Sequence, residues 1–401
     1  MTMPGQVDWA LHMLRENGFE AVLAGGCVRD ALMGMEPRDY DIATSASPRD
    51  ILRVFTGERV LTAGIKHGTV TLIRAGTQIE ITAFRVDGAY RDHRRPDTVA
   101  YTRSLAEDVR RRDFTINALC YGESGLIDLV GGATDLRAKI IRCVGNPFAR
   151  FNEDALRILR ALRFSAVLDF DIEPQTAAAA LKIRGLLRKI AAERVRDELL
   201  KLLAGARAER TIIEYRPIFE VFLLGISSLS AVEWRDAARA AERAEKTPET
   251  LLAALLSKRP STLDALKLPA RVKDRAKLLI DNLCMEIRAE RPAVRALAHK
   301  LGFTVARQLI DLKIRSQESE IKSQEKLTRA RTLLDDIEAT GDCVNLTQLN
   351  ISGRDIAPLA AEPKLIGETL KFLLNRVIEG RIPNEREVLL LEAIAFLKPG
   401  E

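Results

Sequence analysis

A-G-G-C-V-R-D-A-L-M-G-M-E-P-R-D-Y-D-I-A-T, residues 24–44, is the stretch from which the chain is best read. V-L-A at 22–24 has the look of a strand end, and it runs straight into Gly25 and Gly26. C-V-R-D-A-L-M can then begin a helix. Backbone N–H groups at a strand–glycine–helix turn bind phosphate, and Arg29, one helical turn in, adds positive charge. A glycine pair alone marks an ordinary turn more often than a phosphate site. The weight comes from Asp39 and Asp41, which flank Tyr40. In an extended strand residues i and i+2 share a face. Two carboxylates on one face repel unless a cation lies between them. The bland reading is a strand end with two solvated acids. The functional one is a hard-cation site, Mg²⁺, completed by substrate phosphates.

Moving outward, G-T-V-T-L-I-R and Q-I-E-I-T-A-F-R predict two strands joined as a hairpin. Glu80 alternates with Ile79 and Ile81, so it points away from the core and is a candidate third carboxylate. S-P-R-D-I-L-R-V-F predicts a helix capped by Ser47 with Pro48 at its first position. An arginine-dense stretch follows, with eight arginines from Arg85 to Arg112. Gly88 and Pro96 argue for a mobile loop within it. R-R-D-F-T-I-N-A-L then sets Arg111, Arg112 and Asp113 before an apolar segment. Arginines suit a triphosphate, and Asp113 or Asn117 suits a ribose hydroxyl. Carboxylates beside a phosphate turn fit phosphoryl or nucleotidyl transfer.

Residues 153–164, E-D-A-L-R-I-L-R-A-L-R-F, are placed on one continuous helix. Ala155, Leu159, Leu162 and Ala166 then form an apolar stripe, with Glu153, Asp154, Arg157 and Arg160 on the opposite arc. As a solvated face this holds an i,i+3 Asp–Arg pair of a few tenths of a kcal/mol. As a reader of bases, an Asp accepts from an exocyclic amino group while an Arg donates to the adjacent ring nitrogen. Cytosine and adenine offer that pattern; guanine and uracil offer the reverse.

The chain as a whole has 401 residues, 47% of them apolar, so several folded domains are expected. No stretch is long and apolar enough for a membrane span, and the start lacks a signal-peptide pattern, which predicts a cytoplasmic protein. Five scattered cysteines read as reduced thiols, and four isolated histidines make a histidine metal site improbable. Net charge is +6, yet residues 258–331 alone carry eighteen Lys/Arg against nine Asp/Glu. That local excess points to a polyanionic partner. With 5% aromatics, base-stacking platforms are not indicated. Short β-branched runs alternate with helices up to about residue 140, and beyond residue 150 strand-like runs are absent. The expectation is an α+β head followed by an all-α remainder.

These motifs together resemble the bacterial class II CCA tRNA nucleotidyltransferase/poly(A) polymerase family, within the polymerase-β-like nucleotidyltransferases. The resemblance rests on G-G-C-V-R-D-A-L-M-G with R-D-Y-D-I-A-T, on R-R-D-F-T-I-N-A-L, and on R-F-N-E-D-A-L-R-I-L-R-A-L-R-F. E-R-V-R-D-E-L-L-K-L-L at 193–203 and the closing L-N-I-S-G-R-D-I and V-I-E-G-R-I-P-N add to it; residues 210–340 carry no matching motif. It implies a polymerase-β-like head with a small mixed sheet (1–140), a base-recognising neck (141–210), an RNA-binding body (211–330) and a tRNA-binding tail (331–401). It further implies Mg²⁺ on Asp39 and Asp41, with Gly26, Arg29 and Arg111 on the nucleotide and Asp113 near the ribose. Asp154 and Arg157 would read the base with help from Arg160 and Arg163. The substrates implied are tRNA, CTP and ATP, with no DNA and no membrane. An A-adding tRNA enzyme, a poly(A) polymerase and an inactive RNA-binding paralogue are the alternatives. The loop at 87–99 favours A-addition, and the lack of His-Asp motifs predicts no phosphohydrolase activity.

Overall fold

Seven strands build the sheet at the start of the chain: β1 (Ala21–Ala24), β2 (Tyr40–Thr44), β3 (Arg59–Leu61), β4 (Thr69–Arg74), β5 (Thr77–Ala83), and a later pair at Cys120–Gly122 and Gly125–Ile127. The protein is described here by a computed structural model covering residues 1–87, 99–316, 321–360 and 362–397. It divides into one unit of residues 1–228 with 265–267 and another of residues 229–264 with 268–401. The predicted loop at 87–99 lies outside the described residues save for its two ends. Its flanks, β6 (Arg85–Asp87) and β7 (Val99–Tyr101), pair antiparallel. With these numbered, the later pair is β8 and β9, and the sheet order is β3-β4-β5-β2-β1-β8-β9.

The sheet is mixed. β2 runs parallel to β5, and every other neighbouring pair is antiparallel. The predicted hairpin is β4–β5, closed by Ala75 and Gly76, both at positive φ (47° and 81°), as a two-residue hairpin turn requires. Ile79 and Ile81 are fully buried and Glu80 is exposed, as alternation demands. The parallel register sets Asp41 directly beside Glu80. The predicted helix α3 (Pro48–Val54) carries its full capping box: Ser47 accepts from the Asp50 N–H, and the Asp50 carboxylate accepts from Ser47. The other head helices are α1 (Gly5–Glu16), α2 (Gly26–Leu32), α4 (Leu105–Arg110) and α5 (Gly132–Ala138).

Helices α6 (Pro147–Glu153), α7 (Leu156–Leu168), α8 (Pro174–Ile183) and α9 (Ala192–Leu203) complete the functional part of this unit. Two expectations need correction. The run 153–164 is not one helix: Asp154 is extended (φ −134°, ψ 104°), and its carboxylate accepts the Leu156 N–H at 3.0 Å. A short acidic side chain that bonds a nearby backbone N–H competes with helix continuation. The predicted stripe survives, since Ala155, Leu159, Leu162 and Ala166 are all essentially buried. Strands also persist beyond residue 150, because β10 (Ile140–Ile141) pairs in parallel with β11 (Asp171–Ile172). Asp169 in the left-handed region turns the chain out of α7, and two residues are too few to print a period.

The other unit is helical throughout its described residues. Its long segment Arg291–Ser316 is interrupted at Gly302 (φ 74°). The segment's ion pairs with Ile321–Thr340 include Arg307–Asp335 (2.9 Å) and Arg331–Asp311 (3.0 Å). A second apolar cluster centres on the buried Ile356, Leu373 and Leu389. The basic surplus counted over 258–331 is therefore partly internal. Arg291, Arg307 and Arg331 are in ion pairs, while Lys258, Arg271 and Arg288 are exposed.

Gly205 marks where the chain leaving α9 passes closest to α7. A Cβ there would lie 2.6 Å from both the carbonyl carbon and oxygen of Ala166. Backbone cannot yield as a flexible side chain can. Gly205→Ala is expected to destabilise the protein by ~2 kcal/mol, read as a lowered unfolding midpoint in denaturant; an unchanged midpoint would mean the two segments can part without cost.

Candidate active site

β1 ends against the glycine turn because Gly25 alone can take its backbone there: φ is 83° and ψ −131°. A Cβ on Gly25 would also lie 3.3 Å from the Arg112 guanidinium. The Gly25 N–H donates to the Leu119 carbonyl at 2.9 Å, so this first amide of the turn is used within the sheet region. Positive charge next to the turn comes from Arg29, which is 8% exposed. Its Nε and Nη2 donate to Asp30, and its Nη1 donates to the Asn117 Oδ1 at 2.6 Å.

Asn117 passes the contact on. Its Nδ2 donates to Asp113 Oδ1 at 3.2 Å. Asp113 also accepts the Phe114 N–H (2.8 Å) and, on its other oxygen, Arg160 of α7 (2.8 Å from Nε, 2.6 Å from Nη2). Burial alone would raise the Asp113 pKa, but the Arg160 and Arg157 guanidiniums and the bonds from Arg160 and Asn117 hold it down at about 2. A ribose hydroxyl reaching Asp113 would have to share or displace one of these donors.

Arg111 and Arg112 meet on Asp108, whose side chain is 1% exposed, at 2.6 and 3.0 Å. Burial pushes the Asp108 carboxyl up, and the two arginines outweigh it. Asp108 is absent from the sequence-derived set, although its i,i+3 and i,i+4 spacing to these arginines on a capped helix was visible. Asp30, Phe164, Arg194 and Glu198 were missed too. Nothing in the order of residues says that α9 packs on α7.

That packing changes the reading of Asp154 and Arg157. They do not form the expected i,i+3 pair. Asp154 pairs with Arg194 of α9 at 3.0 Å. Arg157, 9% exposed, donates to Glu153 (2.7 Å) and to the Arg111 carbonyl (2.8 Å). Arg163 pairs with Glu198 of α9 at 3.1 Å. The arc predicted as polar is lined against protein and cavity, not against bulk water.

A cavity of about 500 Å³ collects these groups: Gly25, Gly26, Arg29, Asp41, Arg111, Arg112, Asp113, Asn117, Asp154, Arg157, Arg160 and Arg163 all line it. Of the sequence-derived residues, Asp39 and Glu80 lie outside that lining. Asp41 and Glu80 share an adjoining cavity of about 260 Å³. The Asp41 carboxyl is pushed up to about 6, first by burial, then by the negative charge of Glu80, with Arg112 opposing and Asp39 adding. Among the described residues no three carboxylate, histidine or cysteine side chains close around a point.

Comparison with known proteins supplies the context. The Poly A polymerase head domain matches residues 21–142, and the probable RNA and SrmB-binding site of polymerase A matches residues 169–216. The CCA-adding enzyme of Enterococcus faecalis is 36% identical over 416 aligned positions, covering 100% of this chain and 98% of that protein.

The chain belongs to the CCA-adding enzyme family.

The CCA-adding enzyme of Leuconostoc citreum is 52% identical over 208 residues, about half of each chain. Among solved structures, the Bacillus stearothermophilus CCA-adding enzyme in complex with CTP superposes with a TM-score of 0.81 at 30% identity, covering 99% of this chain and 98% of that one. A more distant relative from Thermotoga maritima, solved with tRNA, shares the fold (TM-score 0.65, 19% identity). The protein is accordingly a nucleotidyltransferase with a polymerase-β-like head and a largely helical remainder. Enzymes of this family use a divalent metal. The chain's residues fit one: an all-oxygen donor set suits a hard cation, and Asp41, buried and with the charges of Glu80 and Asp39 acting on it, lacks a full positive counterpart. No helix of the described residues is long and apolar enough to cross a membrane.

The Asp113 contacts carry a testable pH dependence. Its folded pKa lies below the unfolded value, so its contribution is complete above about pH 4 and is lost as pH falls towards 2. Asp113→Asn is expected to cost roughly 2 kcal/mol at pH 7, with the gap to the parent protein shrinking at acid pH. A pH-independent difference in urea midpoints would assign the effect to packing instead.

Proposed function

We propose that this protein adds or repairs the 3′-terminal CCA of tRNA, from CTP and ATP, without a nucleic-acid template. The observation that carries the reading is the single cavity in which the glycine turn, Asp41, Asp154 and seven arginines, Arg157 among them, meet. Family membership along the whole chain supports it. The reaction is attack of the tRNA 3′-hydroxyl on the α-phosphorus of the nucleotide. A new P–O bond forms, the bond to the β-phosphate oxygen breaks, and pyrophosphate leaves.

Asp39 and Asp41 would hold Mg²⁺, with Glu80 as a third carboxylate on the neighbouring strand. Bound there, the ion would lower the pKa of the attacking hydroxyl and neutralise charge on the phosphates. The turn at Gly25 and Gly26, with Arg29, Arg111 and Arg112, would receive the triphosphate; Asp113 and Asn117 would stand at the ribose. Asp154 and Arg157 would read the incoming base, flanked by Arg160 and Arg163. Because each is held by another residue, Arg194 and Glu153 respectively, base binding would trade one set of hydrogen bonds for another. Guanine or uracil would leave those groups mismatched in a buried place, which is costly. The four-part division into head (1–140), neck (141–210), body (211–330) and tail (331–401) belongs to this proposal, with RNA held by the last two through phosphates and shape. A cytoplasmic location goes with it.

Transcripts of tRNA ending before CCA, after C and after CC, given Mg²⁺ with CTP, ATP or both, test the reading. Stepwise addition of C, C and A followed by a stop is expected. A single A added only to the CC-ended transcript would indicate an A-adding enzyme, and unlimited A addition a poly(A) polymerase.

Two further outcomes are expected. Asp41→Ala should abolish addition of both nucleotides while leaving tRNA binding intact, and Arg157→Ala should admit G or U; unchanged base choice would remove Arg157 from recognition. At limiting Mg²⁺ the rate should rise as pH passes through about 6, where Asp41 gives up its proton, and raising Mg²⁺ should move that midpoint lower. A midpoint indifferent to Mg²⁺ would detach Asp41 from the metal.

A further inference from the structure

Phe164 closes the third turn of α7 and lines the cavity, with 8% of its surface exposed. Three guanidinium carbons lie within cation–π reach of its ring centroid: Arg163 at 4.1 Å, Arg29 at 5.3 Å and Arg160 at 5.4 Å. They come from two places in the chain, the helix after the glycine turn and the neck helix, and they converge on one ring. The ring is itself fixed edge-on against the fully buried Phe114 (5.8 Å between centroids, 79° between planes).

Three cations in one partly buried place repel. Arg163 shows it: burial lowers its pKa, and the Arg160 and Arg29 charges push the same way, against the pull of Glu198. Each arginine has one carboxylate partner: Asp30 for Arg29, Asp113 for Arg160, Glu198 for Arg163. These pairs neutralise the heads but pull them in three directions. The electron-rich ring is the element the three share, and an aliphatic side chain of similar volume would offer no such attraction. The carboxylates engage one or two nitrogens of each guanidinium, which leaves N–H donors of the fork for a ligand.

We propose that Phe164 is a positioning residue for the nucleotide's triphosphate, its ring holding Arg29, Arg160 and Arg163 converged on the cavity as a preformed cationic cradle. The proposal rests on the cavity being the nucleotide site. Arg160 and Arg163, which flank the base-reading pair in the same cavity, would thereby also reach the polyphosphate; the ring itself is assigned to the polyphosphate, which CTP and ATP have in common, and not to the base.

The test uses the full chain and three ligands: inorganic tripolyphosphate, CTP and ATP. Phe164→Leu is expected to weaken all three by about tenfold, equivalent to ~1.4 kcal/mol, and to raise KM for CTP and ATP together while KM for tRNA stays unchanged. Phe164→Tyr, which keeps the ring, should restore most of the affinity. Should the leucine variant fail to fold, site-specific mono-, di- and trifluorophenylalanine at position 164 keep the shape while draining the ring's negative face. Tripolyphosphate affinity should then fall stepwise with fluorine number. A flat fluorine series, or a folded leucine variant with parental tripolyphosphate affinity, would overturn the proposal. So would a loss confined to CTP or to ATP, which would put the ring against the base. If the unsubstituted protein binds neither tripolyphosphate nor nucleotide, the nucleotide reading of the cavity falls first and the proposal falls with it.

Discussion

The Asp113 carboxylate accepts hydrogen bonds from three groups, the Phe114 N–H, the Asn117 amide and the Arg160 guanidinium, and through them the head and α7 become one site. Its backbone belongs to the loop that precedes β8, while Arg160 belongs to α7. Through Asn117 the same carboxylate reaches Arg29 beside the glycine turn. A buried carboxylate is tolerable only when its lone pairs are met and its charge is balanced, and here both conditions are satisfied by residues from separate elements. Remove the carboxylate and Arg160 loses its carboxylate partner and stands as a partly buried charge at the cavity wall. The relay from Asp30 to Arg29, Asn117, Asp113 and Arg160 therefore sets the relative placement of the glycine turn and the α7 arginines.

The same logic recurs around the cavity. Arg111 and Arg112 share Asp108, Arg163 takes Glu198, and Asp154 takes Arg194. An anionic substrate needs a surplus of cations, but a surplus of bare cations would unfold the cavity by self-repulsion. Pairing each arginine with a carboxylate, with three of them around the Phe164 ring, keeps the cavity electrostatically tolerable and leaves guanidinium N–H donors facing it. The opposite imbalance stands at Asp41, where burial first, and then the charges of Glu80 and Asp39, raise its pKa and Arg112 only partly compensates. One wall thus calls for an anion and the neighbouring wall for a cation, which is the charge pattern of a metal–nucleotide complex.

Local signals carried much of this. The Ser47 cap with Pro48, the alternation of Ile79, Glu80 and Ile81, and the Ala75–Gly76 turn are each determined within a few residues, and each has its expected geometry. The 153–164 run shows where such reasoning stops. Its apolar period was sound, but its helix breaks at Asp154 because one carboxylate prefers the Leu156 N–H and the Arg194 side chain. Periodicity records which face is buried; it does not record that a side chain forty residues away competes for the same oxygen. The charge count over 258–331 is coarse in a related way, since it cannot tell an exposed Arg271 from an Arg307 committed to Asp335.

The sequence by itself determined the kind of chemistry: glycines at a strand end, aspartates either side of Tyr40, and arginines in the following motifs point to handling a polyphosphate with a hard cation. It also determined β1, β2, β4 and β5 of the head and the largely helical character of the rest, because hydrophobic period, caps and turn residues act over short distances. Only the tertiary structure decided which charges face one another. The Asp41–Glu80 register, the Asp108 bridge, the Asp154–Arg194 and Arg163–Glu198 pairs and the Phe164 ring among three arginines all join residues through packing. Electrostatic interactions depend on separation in space and on exclusion of water, and neither is a property of order along the chain.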